Sequence, residues 1–199
     1  MNEMLRFPRP TTLAHEWIAA VLQPGDSAVD ATLGNGHDAL FLAQCVGTAG
    51  ALWGFDVQAQ ALQRSRERLL THAAIPARGN FFHRCHSEMA ICVPEPVQAI
   101  MFNLGYLPGA EHDYITQTHK TLQALSAAAE LLDVGGRMTV LCYPGHVGGD
   151  EETAAVLEWA EKLQDGWDVV RYQKWATRRP TPILLGMSKV GHPQREVES

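Results

Sequence analysis

Two carboxylates and a pair of glycines are the residues of this chain best placed by type and spacing to do chemistry. Asp30 precedes the turn Leu33-Gly34-Asn35-Gly36, and Asp56 follows that loop by about 20 residues, the interval of a nucleotide pocket. Gly34 and Gly36 let the backbone turn sharply and lie against a ligand where a Cβ would otherwise stand. The spacing Gly34-x-Gly36-x-x-Ala39 also fits a dinucleotide fingerprint. A glycine turn alone needs no ligand, so the carboxylates decide the chemistry. Asp30 stands before the glycines, where an anion repels a pyrophosphate but can hold a cation. Asp56 stands where an acid grips ribose hydroxyls. An acid at both strand ends suits S-adenosylmethionine, which carries a ribose, an amino group and a sulfonium and no phosphate. NAD is the rival ligand.

Further polar or glycine-rich clusters follow apolar runs: Cys85 to Ser87, Asn103 to Pro108, and Tyr143 to His146. Asn103 has a carbonyl oxygen that can accept an amine hydrogen and aim a nitrogen lone pair. Tyr106 could stack on a planar base, and Pro108 stiffens the same loop. His146 could contact a substrate or accept a proton near neutral pH. His83, Cys85 and His86 invite a metal reading. Strand alternation turns His83 away from His86, however, and no second pair has ligand spacing, so no metal is expected. His15 and the run Arg64, Arg66, Arg68 read as solvated surface.

The elements that must position these residues alternate between strand and helix. Thr11 or Thr12 can cap a first helix with Leu13, Trp17, Ile18, Val21 and Leu22 at helical spacing. Strands are expected at 27–31, 51–55, 80–84, 97–103 and 138–143, with helices from Asp38, over 58–72, around Leu122–Leu132 and over 150–163. Gly135-Gly136 reads as a helix cap. Residues 167–175 and 182–189 are two strands with no helix between them, so they should pair antiparallel. The fold class is α/β: a mostly parallel, doubly wound, Rossmann-like sheet closed by an antiparallel C-terminal hairpin. That closing hairpin favours a methyltransferase over a dinucleotide domain.

With 199 residues the chain suits one domain over 1–199, with an irregular lead over 1–10 and a loose tail over 190–199. No apolar run is long enough to span a membrane and no signal-peptide layout is present, so a cytoplasmic protein is expected. Cys45, Cys85, Cys92 and Cys142 lack CxxC spacing; Cys45 and Cys142 read as reduced core thiols. The net charge of −6 argues against a general nucleic-acid coat and leaves room for a structured RNA held by a local basic patch.

The segments VDATLGNGHD, GFDVQ, MFNLGYLPG and YPGHVGGDEE resemble the YtqB/MnmM-type family, long labelled rRNA methylases and linked to methylation of the tRNA wobble uridine. The resemblance runs from about His15 to Lys189. It implies a class I methyltransferase with S-adenosylmethionine as donor. The implied acceptor is the primary amine of 5-aminomethyl-(2-thio)uridine in a tRNA anticodon stem-loop. The family's donor-binding positions fall on Asp30, Thr32, Gly34, Asn35, Gly36, Asp38, Asp56 and Gln58. Its substrate-side motifs fall on Asn103, Tyr106, Tyr143 and His146. Two departures stand out. The loop Cys85-His86-Ser87 lacks the usual acid, so the adenine amino group would be met by backbone, His86 or Ser87. An Asn-rich segment is replaced by Thr177-Arg178-Arg179-Pro180, whose Arg178 and Arg179 could contact phosphates. An rRNA methyltransferase and a small-molecule N-methyltransferase remain rivals on the same fold, and a homodimer is left open.

Overall fold

The computed structural model describes residues 7–105, 118–163 and 165–191. Seven strands form one sheet in the order β3-β2-β1-β4-β5-β7-β6: β1 Ser27–Asp30, β2 Ala51–Asp56, β3 Arg78–His83, β4 Val97–Leu104, β5 Leu132–Cys142, β6 Trp167–Gln173 and β7 Ile183–Lys189. The first five strands pair parallel, β7 runs antiparallel to β5, and β6 antiparallel to β7. This is the doubly wound sheet with a reversed C-terminal hairpin expected from the alternation of elements.

Burial explains the order. In β4 six of eight residues are buried, as both faces are covered, whereas the edge strands β3 and β6 are largely exposed. Helices α1 Pro10–Ala19, α2 His37–Val46 and α3 Ala59–Thr71 pack on one face through Ile18, Leu42, Val46 and Leu69. Helices α4 Met89–Cys92, α5 Thr118–Leu131 and α6 Gly149–Glu161 cover the other, with Met89, Leu125 and Val156 against Ile100 and Phe102. Lys189 donates to the carbonyls of Ala129 (2.9 Å) and Leu132 (2.7 Å), where a cation complements the helix C-terminus.

Several local expectations are corrected. Helix α1 starts at Pro10, flanked by Arg9 with no side-chain cap, because a fixed proline φ suits the first helical position. Neither Thr11 nor Thr12 caps it. Gly135 and Gly136 do not cap a helix; they lie within β5, where the register against β4 jumps from Val97↔Leu132 to Ala99↔Arg137 and Gly135 takes φ 86°. The extra residues bulge out of the ladder, which glycine permits. A short helical turn, His86–Glu88, leads into α4 where only a loop was expected. Strand β6 ends at Gln173, so Trp175 is not in it. Cys45 is half-buried and Cys142 buried, both as free thiols. Tyr106, Pro108, most of the loop after Leu104, residues 1–6 of the lead and 192–199 of the tail lie outside the described residues. Among the described residues no helix is long and apolar enough to cross a membrane.

Candidate active site

The sheet order reverses between β1 and β4, and in such sheets ligands bind beyond the carboxyl ends of the strands flanking that point. The glycine loop occupies that position. Asp56, at the end of β2, accepts the Gly34 N–H on Oδ2 and the Gln58 N–H on Oδ1, both at 2.9 Å. One carboxylate thus ties the loop to the start of α3. Burial raises its pKa against these stabilising N–H contacts. Gly36 takes φ 74°, and a Cβ there would stand 2.7 Å from Ser65 Cα of α3. The close approach that requires glycine at 36 is therefore α3.

Arg64 and Arg66 of α3 are exposed, as a solvated face requires, and Arg68 is half-buried; all three nevertheless make specific hydrogen bonds. Arg64 donates to Asn35 Oδ1 at 3.2 Å, Arg68 to the Asn35 carbonyl at 2.7 Å, and Arg66 to the Phe81 carbonyl at 3.2 Å. Asn35 is thus held as a strut of the loop. The spacing 64 and 68, one helical turn apart, was the available signal.

Asp30 is fully buried at the tip of β1. Its Oδ1 accepts the Thr32 N–H at 3.0 Å and the Ala39 N–H also stabilises the carboxylate, while Oδ2 makes no well-formed hydrogen bond among the described residues. Burial first, then the nearby Asp38 carboxylate, push its pKa well above the ordinary carboxylate value. A buried carboxylate oxygen without a well-formed hydrogen bond, close to two further acids, is a seat for a cation.

Asp38 is the hub of the other half of the site. Its Oδ1 is 2.6 Å from His15 Nε2, and its Oδ2 accepts the Asn103 side-chain N–H at 3.3 Å. His15 stacks flat on Phe41, with centroids 4.0 Å apart and planes 2° from parallel. This overturns the surface reading of His15. It sits one helical turn from buried Ile18, so it borders the packed stripe of α1 and is half-buried against α2. Thr32 Oγ1 receives the Asn103 backbone N–H at 2.8 Å, so the tips of β1 and β4 are cross-tied at the same level. Because a carboxylate only accepts, Asp38 fixes the amide of Asn103 with its nitrogen toward Asp38 and its carbonyl oxygen available.

Beyond Asn103, Tyr143 lies against Gly105, where an added Cβ would meet its ring at 3.1 Å. Burial, then Asp38, raise the Tyr143 phenol above its usual pKa, so it stays a neutral donor. His146 precedes α6, with Nδ1 3.1 Å from the Val147 carbonyl, and it acts electrostatically on Glu152. Arg178 and Arg179 are exposed on the β6–β7 connection. His86 is buried, its Nδ1 3.3 Å from the Ala31 carbonyl beside Asp30, and burial lowers its pKa to about 4. It is neutral at physiological pH, and its Nε2 has no partner among the described residues. Ser87 follows it in the same turn, half-buried. No group of His, Cys, Asp and Glu able to hold a metal occurs among the described residues.

These residues fit S-adenosylmethionine. A donor seated at these strand tips would bring its cationic amino group to the buried Asp30 carboxylate, its ribose hydroxyls to Asp56 and its adenine N–H to the neutral His86. NAD, with a pyrophosphate beside three carboxylates, does not fit.

A family model described as "Putative rRNA methylase" matches residues 52–188. A tRNA (mnm(5)s(2)U34)-methyltransferase, chloroplastic, from Arabidopsis thaliana is 36% identical over 192 residues, covering 91% of this chain and 69% of that protein. The crystal structure of a protein described as a "putative rRNA-methylase" from Clostridium thermocellum superposes with a TM-score of 0.88 at 37% identity, covering 92% of this chain and 99% of that one. SMU.1697c of Streptococcus mutans, described as a "putative methyltransferase" and solved in complex with SAH, matches with a TM-score of 0.84 at 36% identity, covering the same shares of each chain.

Proposed function

This chain belongs to the rRNA methylase family of class I methyltransferases that use S-adenosylmethionine, and from that membership we propose that it N-methylates the 5-aminomethyl group of (2-thio)uridine at the tRNA wobble position. The observation that carries the acceptor chemistry is the Asn103 amide, pinned through its nitrogen to Asp38 so that its oxygen can receive an amine hydrogen. The Arabidopsis relative, named for a tRNA uridine, supports the substrate. We place the reaction in the cytoplasm, with the anticodon stem-loop as the bound partner.

When bound, S-adenosylmethionine supplies an electrophilic methyl group on a sulfonium. Asp30 holds the donor's amino group and Asp56 its ribose, with Thr32, Gly34 and Gln58 keeping both acids in place. Asn35, Gly36 and Asp38 keep the loop and the Asn103 amide in register, and His86 with Ser87 borders the adenine. An alkylamine such as that of lysine has a pKa near ~10.4 and is mostly protonated in water, so its lone pair is blocked. A partly dry cleft favours the neutral amine. Asn103 Oδ1 then accepts one N–H and turns the lone pair toward the methyl group, an entropic and positional contribution. The resemblance gives Tyr106 and Pro108, outside the described residues, the substrate's uracil side, and Tyr143 would donate to the substrate from beside Gly105. The released proton passes to water or to His146. Arg178 and Arg179 take phosphates.

Nucleoside mass spectrometry tests this reading. Purified protein with S-adenosylmethionine should convert aminomethyluridine in tRNA to its methylaminomethyl form, and cells lacking the gene should accumulate the precursor. An unchanged tRNA profile with an altered rRNA nucleoside would transfer the activity to ribosomal RNA.

A further inference from the structure

The connection between β6 and β7 has a composition unlike the rest of the chain. Residues 174–182 contain three Lys or Arg and no Asp or Glu, in a protein whose net charge is −6. Within it Trp175 is 90% exposed, the most exposed large apolar side chain among the described residues. Lys174, Arg178 and Arg179 flank it, all exposed, and no ion pair engages them among the described residues.

The segment is also shaped by its own bonds. Ala176 takes φ 54°, Thr177 Oγ1 donates to the Arg179 carbonyl at 2.8 Å, and Thr181 Oγ1 to the Lys174 carbonyl at 3.3 Å. Pro180 packs against Gly145, where an added Cβ would meet its ring at 3.1 Å. Gly145 is two residues from Tyr143, so the indole is held out from a loop braced on the substrate side of the cleft. An exposed indole on the same short loop as three exposed cations has the chemistry of single-stranded nucleic-acid binding: the ring stacks on a base, and the cations meet phosphates.

We propose that the 174–180 loop is an RNA-docking hook, in which Trp175 stacks on an unpaired base neighbouring the reacting uridine while Lys174, Arg178 and Arg179 hold adjacent phosphates. This rests on the reading of the substrate as RNA, and it adds a second base, held outside the reaction pocket, to what the enzyme recognises. Stacking tolerates any base, so the hook selects an open loop over a paired stem.

Fluorescence anisotropy of the full chain with a short hairpin RNA bearing an unpaired loop, against a fully paired RNA of equal charge, tests the hook. W175A should weaken hairpin binding about 5- to 150-fold. It should leave duplex binding and S-adenosylmethionine affinity unchanged, and W175F should recover most of the loss. The R178Q/R179Q double variant should flatten the salt dependence by about one to two units of slope. Hairpin affinity unchanged in W175A, or equal losses for hairpin and duplex, would overturn the hook. So would W175A converting a dimer to a monomer, or releasing the protein from anionic vesicles, with RNA affinity intact. Methylated nucleosides are scored separately. A wild-type enzyme that modifies rRNA while binding its loops through Trp175 would sink the wobble reading and leave the hook standing.

Discussion

Asp30 should be a residue that the fold tolerates for the sake of the ligand, and Asp30→Asn separates the two roles. The asparagine keeps a carbonyl oxygen for the Thr32 N–H but removes the charge that lies buried beside Asp38 and Asp56. The amide stays buried and polar, so the gain comes only from removing a charge that burial and the neighbouring acids disfavour. Asp30→Asn should therefore raise Tm near neutral pH, by about 2–4 °C for each kcal/mol relieved in a chain of this size. The pH dependence carries the sign. Burial and neighbouring acids raise the folded-state pKa of Asp30, so its contribution to stability is fully present below the unfolded carboxylate value and is lost as pH rises through the raised one. The variant does not titrate there. Its advantage should be small near pH ~4.5, grow with pH and then level off. Donor affinity should move oppositely: losing a hydrogen bond to a charged group costs about 1.5–3 kcal/mol, or about 10- to 150-fold in Kd. Differential scanning calorimetry across pH and titration calorimetry with S-adenosylmethionine read both effects. A variant less stable than wild type at neutral pH, or an advantage independent of pH, would refute the reasoning.

Two other substitutions probe the neighbouring parts. Asp56→Ala removes the acceptor shared by Gly34 and Gln58 and should weaken S-adenosylmethionine binding by about tenfold or more in titration calorimetry; unchanged binding would remove Asp56 from the ribose role. His15→Ala deletes a half-exposed partner of Asp38, so about 1 kcal/mol, or roughly fivefold in kcat, should be lost with donor affinity kept. His15→Gln can still donate to Asp38 and should restore most of the rate. Failure of that rescue would make His15 a packing residue on Phe41 alone.

The sheet, the glycine loop and the acids at the tips of β1 and β2 were legible because strand and helix periods differ and the loop residues have few other uses. What escaped was contact between elements distant in sequence. His15 looked like surface because nothing in its own helix announces Phe41 or Asp38, which lie 26 and 23 residues away. The half-buried seat of Arg68 escaped because its partner, the Asn35 carbonyl, belongs to another element. Gly135-Gly136 looked like a cap because glycine serves helix ends and strand bulges equally, and only the register of β5 on β4 decides between them. The end of the strand expected over 167–175 is not marked in the sequence before Trp175, whereas β6 stops two residues earlier and leaves the indole in the open.

The division of labour in the cleft, with strand-tip acids for the donor and one amide for the acceptor, meets its most direct test in Asn103→Ala. Steady-state turnover on aminomethyluridine tRNA, measured beside S-adenosylmethionine affinity, should show kcat down about 100-fold while Kd for the donor stays within about a factor of two. Turnover close to wild type, or equal losses in kcat and donor affinity, would contradict the account.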